Sequence, residues 1–263
     1  MTFFSVNNLS VNYGKQNILS NLSFELEASS TIGILGANGS GKTTLLKSIC
    51  GILPHGGSCV LEGTTLETQK PGQLAKLCSY IPQRSGISID LSVLDVVLMG
   101  FYPHLGILEH PSFEMKEKAL HLIHLVGLTG KENHNYLHLS EGQKQLCILA
   151  RTLVANSKLL LLDEPESALD FHFRHKMLKL ICKWNIENHC TALISLHDPM
   201  LALNSCDSLL LLSDGHIIAT LHPKTDSLSS MEEKLCSLYG DISLTTCANK
   251  HGQKQLVMLG ESL

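Results

Sequence analysis

The chain has 263 residues, of which 44% are hydrophobic and 17% are charged, and its net charge at pH 7 is −4. This composition supplies enough apolar material for a large core and argues against extensive disorder. The slightly negative charge, without any block of Lys or Arg residues, argues against nucleic acid as the main partner.

The N-terminal part of the chain has the patterns of strands. It shows no basic region before an apolar run, and later apolar runs are too short to span a bilayer, so we expect a soluble protein without a secretory signal.

Apolar and polar residues alternate over residues 4–26 in two pieces separated by residues 13–17, which predicts antiparallel strands. The run Thr31–Leu35 is typical of a buried parallel strand. Residues 58–61 predict a further edge strand.

The pattern changes to helices in the middle of the chain. Ser92 is placed to cap a helical segment that ends at Gly100, and residues 114–126 predict a second helix with Gly127 at its C-terminus. We therefore predict an inserted α-helical subdomain over residues 86–156.

Strands and helices alternate again in the second half. Residues 159–162 and 191–195 predict strands, residues 171–186 predict a helix between them, and residues 207–213 begin a hairpin-like pair through Asp214 and Gly215. This alternation predicts an α/β fold whose core is a mostly parallel sheet with helices on both faces.

The C-terminal segment forms a distinct extension. Residues 231–239 predict a short helix ending at Gly240, and residues 242–246 and 255–259 predict two strands. We therefore predict one domain over residues 1–263, with a C-terminal helix and strand pair over residues 227–263.

Cysteine and histidine residues give no clear metal signal. The nine cysteines are scattered without a C-x-x-C pair, which predicts plain thiols rather than disulfides or a zinc site. Two histidine pairs share a helix face, but no carboxylate or Cys lies at ligand spacing beside them, so we expect solvated faces. These pairs are His121 with His124 and His172 with His175.

The loop after the first buried strand matches a known phosphate-binding pattern. Residues 36–43 fit G-x-x-x-x-G-K-[ST] in full, between a predicted strand and a predicted helix with Leu45, Leu46 and Ile49 on one face. Backbone N–H groups of such a loop point at phosphates, Lys42 supplies charge to the β- and γ-phosphates, and the Thr43 hydroxyl is a Mg²⁺ ligand. The core is therefore predicted to be that of a P-loop NTPase.

Two carboxylates follow the strand over residues 159–162. In a parallel sheet its carboxyl end lies beside the phosphate loop, so Asp163 is predicted to hold Mg²⁺ and Glu164 to act as general base. His197 follows a neighbouring strand and is a candidate to bind the γ-phosphate or order Glu164, although a surface-loop histidine fits equally well. Gln83 is a candidate contact to the metal or the water, although an exposed loop glutamine fits its spacing better.

A second phosphate-seeking device occurs at Leu139–Ser140–Glu141–Gly142–Gln143. Ser140 and Gln143 are spaced as a capping box at a helix start. The N–H groups and dipole of a capped helix N-terminus favour a phosphate. This device has no nucleotide of its own to hold, so we predict that it completes a site on another copy of the chain.

The order of these parts resembles the ATP-binding cassette family over essentially the whole chain: phosphate loop, Gln83, Leu139–Gln143, Asp163–Glu164, Ser167–Asp170 and His197. The resemblance implies an ATPase whose two copies enclose two ATP molecules head to tail. It further implies that Ser140 and Gly142 contact the partner's γ-phosphate, that Asp170 lies in the loop linking the two sites, and that Tyr13 stacks on adenine.

The resemblance and the motifs together predict three groups of site residues. The catalytic residues are Glu164, His197, Gln83 and Lys42. The ATP-binding residues are Tyr13, Gly36, Ala37, Asn38, Gly39, Ser40, Gly41, Lys42, Thr43, Thr44, Ser140, Gly142, Gln143 and Asp170. The Mg²⁺ ligands are Thr43, Gln83 and Asp163.

Two positions depart from the family pattern. Glu141 stands where the family most often has Gly, and Glu166 stands where it often has Thr. A carboxylate near phosphate repels it unless the side chain points away. We expect both Glu141 and Glu166 to face outward, which leaves the functional groups intact.

The resemblance also implies partners and a location. A cassette without a membrane segment resembles the ATPase subunit of a multi-subunit importer, peripheral on the cytoplasmic face of the cell membrane. Its partners would be a second copy in a homodimer, integral membrane permease subunits and, indirectly, a substrate-binding protein. Residues 93–100 with Pro103–Gly106 are similar to ATPases of metal and metal-chelate importers, a feature that the manganese/zinc branch shares. Asp170–Phe171 and the C-terminal tail resemble the iron-chelate branch, which handles siderophores, haem and cobalamin. The manganese/zinc importer branch and, less closely, a non-transport cassette ATPase remain alternatives.

Overall fold

A computed structural model describes residues 2–83, 86–106 and 108–261. The strands in these ranges are β1 (Phe4–Tyr13), β2 (Gln16–Leu26), β3 (Thr31–Leu35), β4 (Gly56–Leu61), β5 (Thr64–Thr65), β6 (Cys78–Ile81), β7 (Leu159–Asp163), β8 (Thr191–Ser195), β9 (Ser208–Ser213), β10 (His216–Leu221), β11 (Ile242–Ala248) and β12 (Lys254–Gly260). The helices are α1 (Lys42–Ile49), α2 (Pro71–Leu77), α3 (Val93–Leu98), α4 (Phe113–Leu125), α5 (Glu141–Val154), α6 (Phe171–Asn188), α7 (Pro199–Ser205) and α8 (Leu228–Tyr239).

The central sheet has six strands in the order β10-β9-β3-β8-β7-β6. Neighbouring strands from β9 to β6 run parallel, and only the β9–β10 pair is antiparallel. Every residue of β3, β7 and β8 is buried, because these apolar runs are covered on both faces. The predicted α/β core with a mostly parallel sheet is confirmed. The carboxyl ends of β3 and β7 consequently lie at one edge of the sheet, where the site forms.

The predicted N-terminal antiparallel region is a four-stranded sheet with the order β2-β1-β4-β5. The prediction of an edge strand at residues 58–61 was wrong. This segment belongs to β4, which pairs with β1 on one side and with the two-residue strand β5 on the other. Leu45 and Leu46 of α1 are fully buried in the core shared with this sheet, so the sheet holds the helix that follows the phosphate loop.

The helices α3, α4 and α5 pack together between β6 and β7 in the chain. Ser92 caps α3 as predicted, but the segment does not end at Gly100: a 3-10 helix continues over Met99–His104. A Cβ atom at Gly100 would lie 2.1 Å from the carbonyl oxygen of Arg151, so this glycine permits close contact with α5 rather than terminating a helix. The limits of the inserted subdomain at residues 86–156 stay a prediction.

The C-terminal extension packs against the core through α7. Ser227 caps α8, so this helix begins three residues before the predicted start at residue 231. The Asn204 side chain of α7 pairs with both backbone groups of Leu256 in β12, at 2.9 and 2.8 Å. The last two residues of the extension predicted over residues 227–263 lie outside the described residues. No helix in the described ranges is long and apolar enough to cross a membrane.

Candidate functional site

The phosphate loop connects the carboxyl end of β3 to the first turn of α1. Gly39 and Gly41 have φ angles of +84° and +106°, which L side chains rarely adopt, so the loop curls only because these residues are glycines. The Lys42 Nζ atom donates to the carbonyl oxygens of Gly36 and Ala37, at 2.7 and 3.1 Å. Burial lowers the pKa of Lys42, while the carboxylates of Glu164 and Asp163 oppose this shift. The loop therefore holds a partly desolvated cation where phosphate would bind.

A cleft of about 270 Å³ lies at this loop. Its lining residues are Tyr13, Ile18, Asn38, Gly39, Gly41, Lys42, Thr43, Thr44 and Glu164. The structure thus brings together the half-exposed Tyr13, most of the predicted loop residues and the predicted general base. Gly36 lies deeper, because a Cβ atom there would be 2.3 Å from the carbonyl oxygen of Leu212. Ser40 is buried as well, and its hydroxyl has no protein partner.

Asp163 is buried at the end of β7 and is held by three hydroxyl groups. Its Oδ1 atom accepts from Thr43 Oγ1 at 3.1 Å and from Ser195 Oγ at 2.8 Å. Its Oδ2 atom accepts from the Tyr80 hydroxyl at 3.2 Å. Burial and the charge of Asp163 raise the pKa of Tyr80, so this hydroxyl stays a donor. The Thr43 hydroxyl beside the Asp163 carboxylate is an oxygen-donor pair that fits Mg²⁺.

Glu164 is the centre of the predicted catalytic group. Its Oε1 atom lies 2.6 Å from His197 Nε2, and its Oε2 atom accepts from Gln83 Nε2 at 2.6 Å. Glu164 has a φ of +49°, and its backbone N–H donates to the buried Ser195 hydroxyl at 2.9 Å. The carbonyl of Gln83 also accepts from Gln145 in α5 at 3.0 Å. Both His197 and Gln83 therefore contact Glu164, and Gln83 is also hydrogen-bonded to α5.

Ser195 and Tyr80 are site residues that the sequence reading did not assign. Ser195 is the last residue of β8, the strand next to β7, and its hydroxyl bridges the Asp163 side chain and the Glu164 backbone. A polar residue at the end of an otherwise apolar strand was the available signal. Tyr80 gave a weaker signal, because only its position beside β7 brings its hydroxyl to Asp163.

The prediction that Glu166 faces outward was wrong. Its side chain is 2% exposed, and its Oε1 atom accepts from the backbone N–H of His197 at 3.3 Å. The turn after Glu164 folds residue 166 inward, with the Ser167 N–H donating to the Glu164 carbonyl at 3.1 Å. Burial raises the pKa of Glu166, hydrogen bonds to backbone N–H groups and the His197 charge oppose the rise, and the Glu164 charge adds to it. The Oε2 atom has no protein partner.

The second phosphate-seeking device is a capped helix start, as predicted. Ser140 Oγ accepts from the Gln143 N–H at 3.3 Å, and Gln143 Oε1 accepts from the Ser140 N–H at 3.2 Å. Glu141 faces outward as predicted, with its exposed carboxylate paired to Lys144 at 2.8 Å. A Cβ atom at Gly142 would lie 3.1 Å from the Ala168 carbonyl oxygen, so glycine lets α5 pack on the loop before α6.

The two phosphate-seeking devices do not meet within one chain. None of the described residues that line the cleft at Lys42 comes from the start of α5 or from Asp170. Ser140 is exposed, and Asp170 caps α6 by accepting from the Phe173 N–H at 3.0 Å. Within a single chain, the phosphate loop and the start of α5 therefore lie at two separate places.

The sequence and the structure of this chain resemble those of known proteins. A family model described as ABC transporter matches residues 19–167. A hemin import ATP-binding protein of Deinococcus radiodurans is 36% identical over 249 residues, covering 92% of this chain and 91% of that protein. An iron chelatin transport ATP-binding protein of Helicobacter pylori is 36% identical over 216 residues, covering 80% and 83%. A solved structure described as an inward-facing conformation of a metal-chelate type ABC transporter superposes with a TM-score of 0.82 at 26% identity, over 99% of each chain.

Proposed function

The chain is an ATPase of the ABC transporter family, and from that premise we propose that it energises a multi-subunit membrane importer of the iron-chelate branch, with haem, an iron siderophore or cobalamin as cargo. The observation that carries the ATPase chemistry is the group formed by Glu164, Gln83 and His197 beside the phosphate loop. The relatives named for hemin import and for iron chelatin transport support the cargo class.

ATP binds with its phosphates against the loop at residues 36–43. The backbone N–H groups and Lys42 receive the β- and γ-phosphates, and Lys42 exchanges its loop carbonyl contacts for phosphate oxygens. Tyr13, at the mouth of the cleft, stacks on adenine. Thr43, Asp163 and Gln83 would hold Mg²⁺, which would supply positive charge to the phosphates.

Glu164 accepts a proton from the water that attacks the γ-phosphorus, and the products are ADP and inorganic phosphate. Gln83 and His197 contact one carboxylate oxygen each, so together they fix the orientation of the base. Ser195 fixes the backbone of Glu164, because its hydroxyl accepts a hydrogen bond from the Glu164 N–H and donates one to Asp163. The base and the metal ligand are thus positioned by one buried serine.

A second copy of the chain completes each site. Ser140, Gly142 and Gln143 of that copy present a helix N-terminus to the γ-phosphate, and Asp170 lies in the loop that links the two sites. The support is the separation of these residues from the cleft within one chain. We therefore propose a homodimer that encloses two ATP molecules.

The membrane partner docks on the helical segment, with the chain peripheral on the cytoplasmic face of the membrane. Large apolar side chains exposed to solvent are frequent there, and Leu108 is 90% exposed. The others among the described residues of this segment are Ile89, Tyr102, Phe113 and Leu137. Such a concentration supports contact with a permease. The Gln83 carbonyl accepts a hydrogen bond from Gln145 in α5, and the Gln83 side chain contacts Glu164. A movement of α5 on docking would therefore reach Glu164 through Gln83. The substrate-binding protein contacts the permease only, and nucleic acid is not a partner.

Reconstitution tests the cargo and the coupling. The chain is combined in vesicles with permease subunits that copurify with it from membranes, and ATP-dependent uptake of haem, a ferric siderophore, cobalamin, Mn²⁺ and Zn²⁺ is compared. We expect uptake of one chelate and none with Glu164→Gln subunits. Uptake of Mn²⁺ or Zn²⁺ alone would favour the manganese/zinc branch. Recovery of the chain solely on ribosomes or DNA, without any permease, would contradict the transport function.

A further inference from the structure

A cluster of three different donor side chains lies away from the ATP site. His55 lies in the loop before β4, Cys59 lies within β4, and Glu67 lies in the 3-10 helix Leu66–Thr68. One ligand atom from each residue lies within 4.8 Å of the other two. Sequence reading found no zinc spacing, because these residues are brought together by the turn between β4 and β5 and the 3-10 helix after it rather than by a short motif.

The orientation of the His55 ring leaves one nitrogen available. Its Nδ1 atom lies 3.0 Å from the Gly56 carbonyl oxygen, which only accepts hydrogen bonds, so Nδ1 carries the proton. In the neutral ring Nε2 then carries a lone pair, and this atom lies 3.3 Å from Glu67 Oε1. The two atoms face each other at a distance that one metal ion bound beside both of them can bridge. A backbone carbonyl on the second ring nitrogen is also the usual support of a metal-binding histidine.

The surroundings of the cluster suit a bound ion. The His55 side chain is 6% exposed and the Glu67 side chain 29%, while Cys59 is fully buried. Glu67 is fixed because its Oε1 atom accepts from the Cys59 N–H at 2.6 Å. His55 and Glu67 also line a cleft of about 430 Å³, which provides access from solvent and room for a water ligand.

We propose that His55, Cys59 and Glu67 bind one divalent transition-metal ion of the Zn²⁺ class, with water as the fourth ligand. An imidazole nitrogen, a sulfur and a carboxylate oxygen are ligands that Zn²⁺ accepts together, whereas Mg²⁺ and Ca²⁺ require oxygen donors. The Cys59 thiol gives its proton to solvent when the metal–sulfur bond forms. No oxidant or reductant is involved.

Metal titration of the full chain tests the site. The protein is stripped with a chelator, Zn²⁺ affinity is measured by competition with a chromophoric chelator, and Co²⁺ is used to detect sulfur coordination by its charge-transfer absorption. We expect one ion per chain, binding that tightens with pH, and at least about tenfold weaker binding for Cys59→Ser and for His55→Gln. Glu67→Gln, which keeps an acceptor for the Cys59 N–H, is expected to weaken binding as well.

Matched controls separate this site from chance binding by other thiols. Cys247→Ser and His251→Gln change an exposed thiol and an exposed imidazole on the C-terminal extension, and both should bind Zn²⁺ as the unaltered chain does. ATP binding by each variant shows that it is folded. Unchanged Zn²⁺ affinity in Cys59→Ser and His55→Gln, loss of binding in Cys247→Ser, or absence of the Co²⁺–sulfur band would each overturn the site and leave His55 as a protonated partner of Glu67.

Discussion

At the scale of single residues, the chemistry depends on what surrounds Glu164. Its two carboxylate oxygens are each taken by a different side chain, His197 and Gln83, and its backbone is held by Ser195. Motif spacing predicted the position of Glu164. For His197 and Gln83 the sequence left an exposed-loop position as the alternative, and the structure instead places both side chains on Glu164. The inward direction of Glu166 was beyond sequence reasoning, because it is set by the turn after β7 and not by residue type.

Glu164→Gln should stop hydrolysis and spare ATP binding. The amide has nearly the same shape and still accepts from Gln83, but it cannot take a proton from water, so the turnover rate should fall at least about 100-fold. The measurement is ATP turnover together with nucleotide titration. Glu62→Gln, which alters an exposed carboxylate paired to Lys158, is the control and should keep both. Near-normal turnover by the Glu164→Gln chain would refute the general-base role.

Glu166→Gln should stabilise the fold, and more so at high pH. Burial raises the pKa of Glu166 above its unfolded value of 4.5. The folded state therefore binds this proton more strongly than the unfolded state does. The free energy of unfolding declines as pH rises from 4.5 through the higher pKa of the folded state. A neutral amide has no such dependence. The gain in Tm over the unaltered chain should be larger at pH 8 than at pH 5, while Glu62→Gln shows no such difference. A gain that is equal at both pH values, or larger at pH 5, would contradict the buried position.

At the scale of elements, segments with a clear pattern or a cap were predictable, and two short helices were missed. α2 has seven residues and no side-chain cap, and its apolar residues Leu74 and Leu77 are only partly buried, so its sequence carries a weak signal. α7 has seven residues, yet Asp198 caps it and Pro199 stands at its first position, which is a start signal that was overlooked. The helix start at Ser140 was predicted because both members of its capping box are present in the sequence.

Ser140→Ala should lower both stability and activity. The variant loses the acceptor for the Gln143 N–H, which costs about 1 kcal/mol in unfolding free energy, and it loses the hydroxyl offered to the partner's ATP. Ser227→Ala is a matched control, because Ser227 caps α8 through the Ser230 N–H at 3.2 Å, far from the ATP cleft in sequence. Urea denaturation should show similar losses for both variants, and ATP turnover should fall only for Ser140→Ala. Equal turnover in both would remove Ser140 from the site.

At the scale of the whole molecule, the fold separates the phosphate loop from the capped start of α5, which we propose to be the two halves of the ATP site. Lys42 and Glu164 line one cleft, while Ser140 and Gly142 open α5 at a different position. The sequence predicted this division only through the presence of two phosphate-seeking devices. The three-dimensional clustering of His55, Cys59 and Glu67 could not be predicted, since it depends on the pairing of β4 with β5.

Dilution should lower the turnover rate per chain. If two chains form each site, the rate per chain declines once the concentration falls below the dimer dissociation constant. ATP turnover and sedimentation are measured across the same dilution series, with saturating ATP throughout. Full turnover per chain where only monomer sediments would show that one chain is complete.

The most direct measurement mixes two inactive variants. Ser140→Arg blocks the helix start, and Lys42→Ala removes the loop cation, so each homodimer has two defective sites. A mixed dimer pairs the intact loop of one chain with the intact helix start of the other. After exchange, an equal mixture should recover about a quarter of the normal turnover, since about half of the dimers are mixed and each has one intact site. Turnover no higher than that of either variant alone, with exchange demonstrated, would contradict a site shared between two chains.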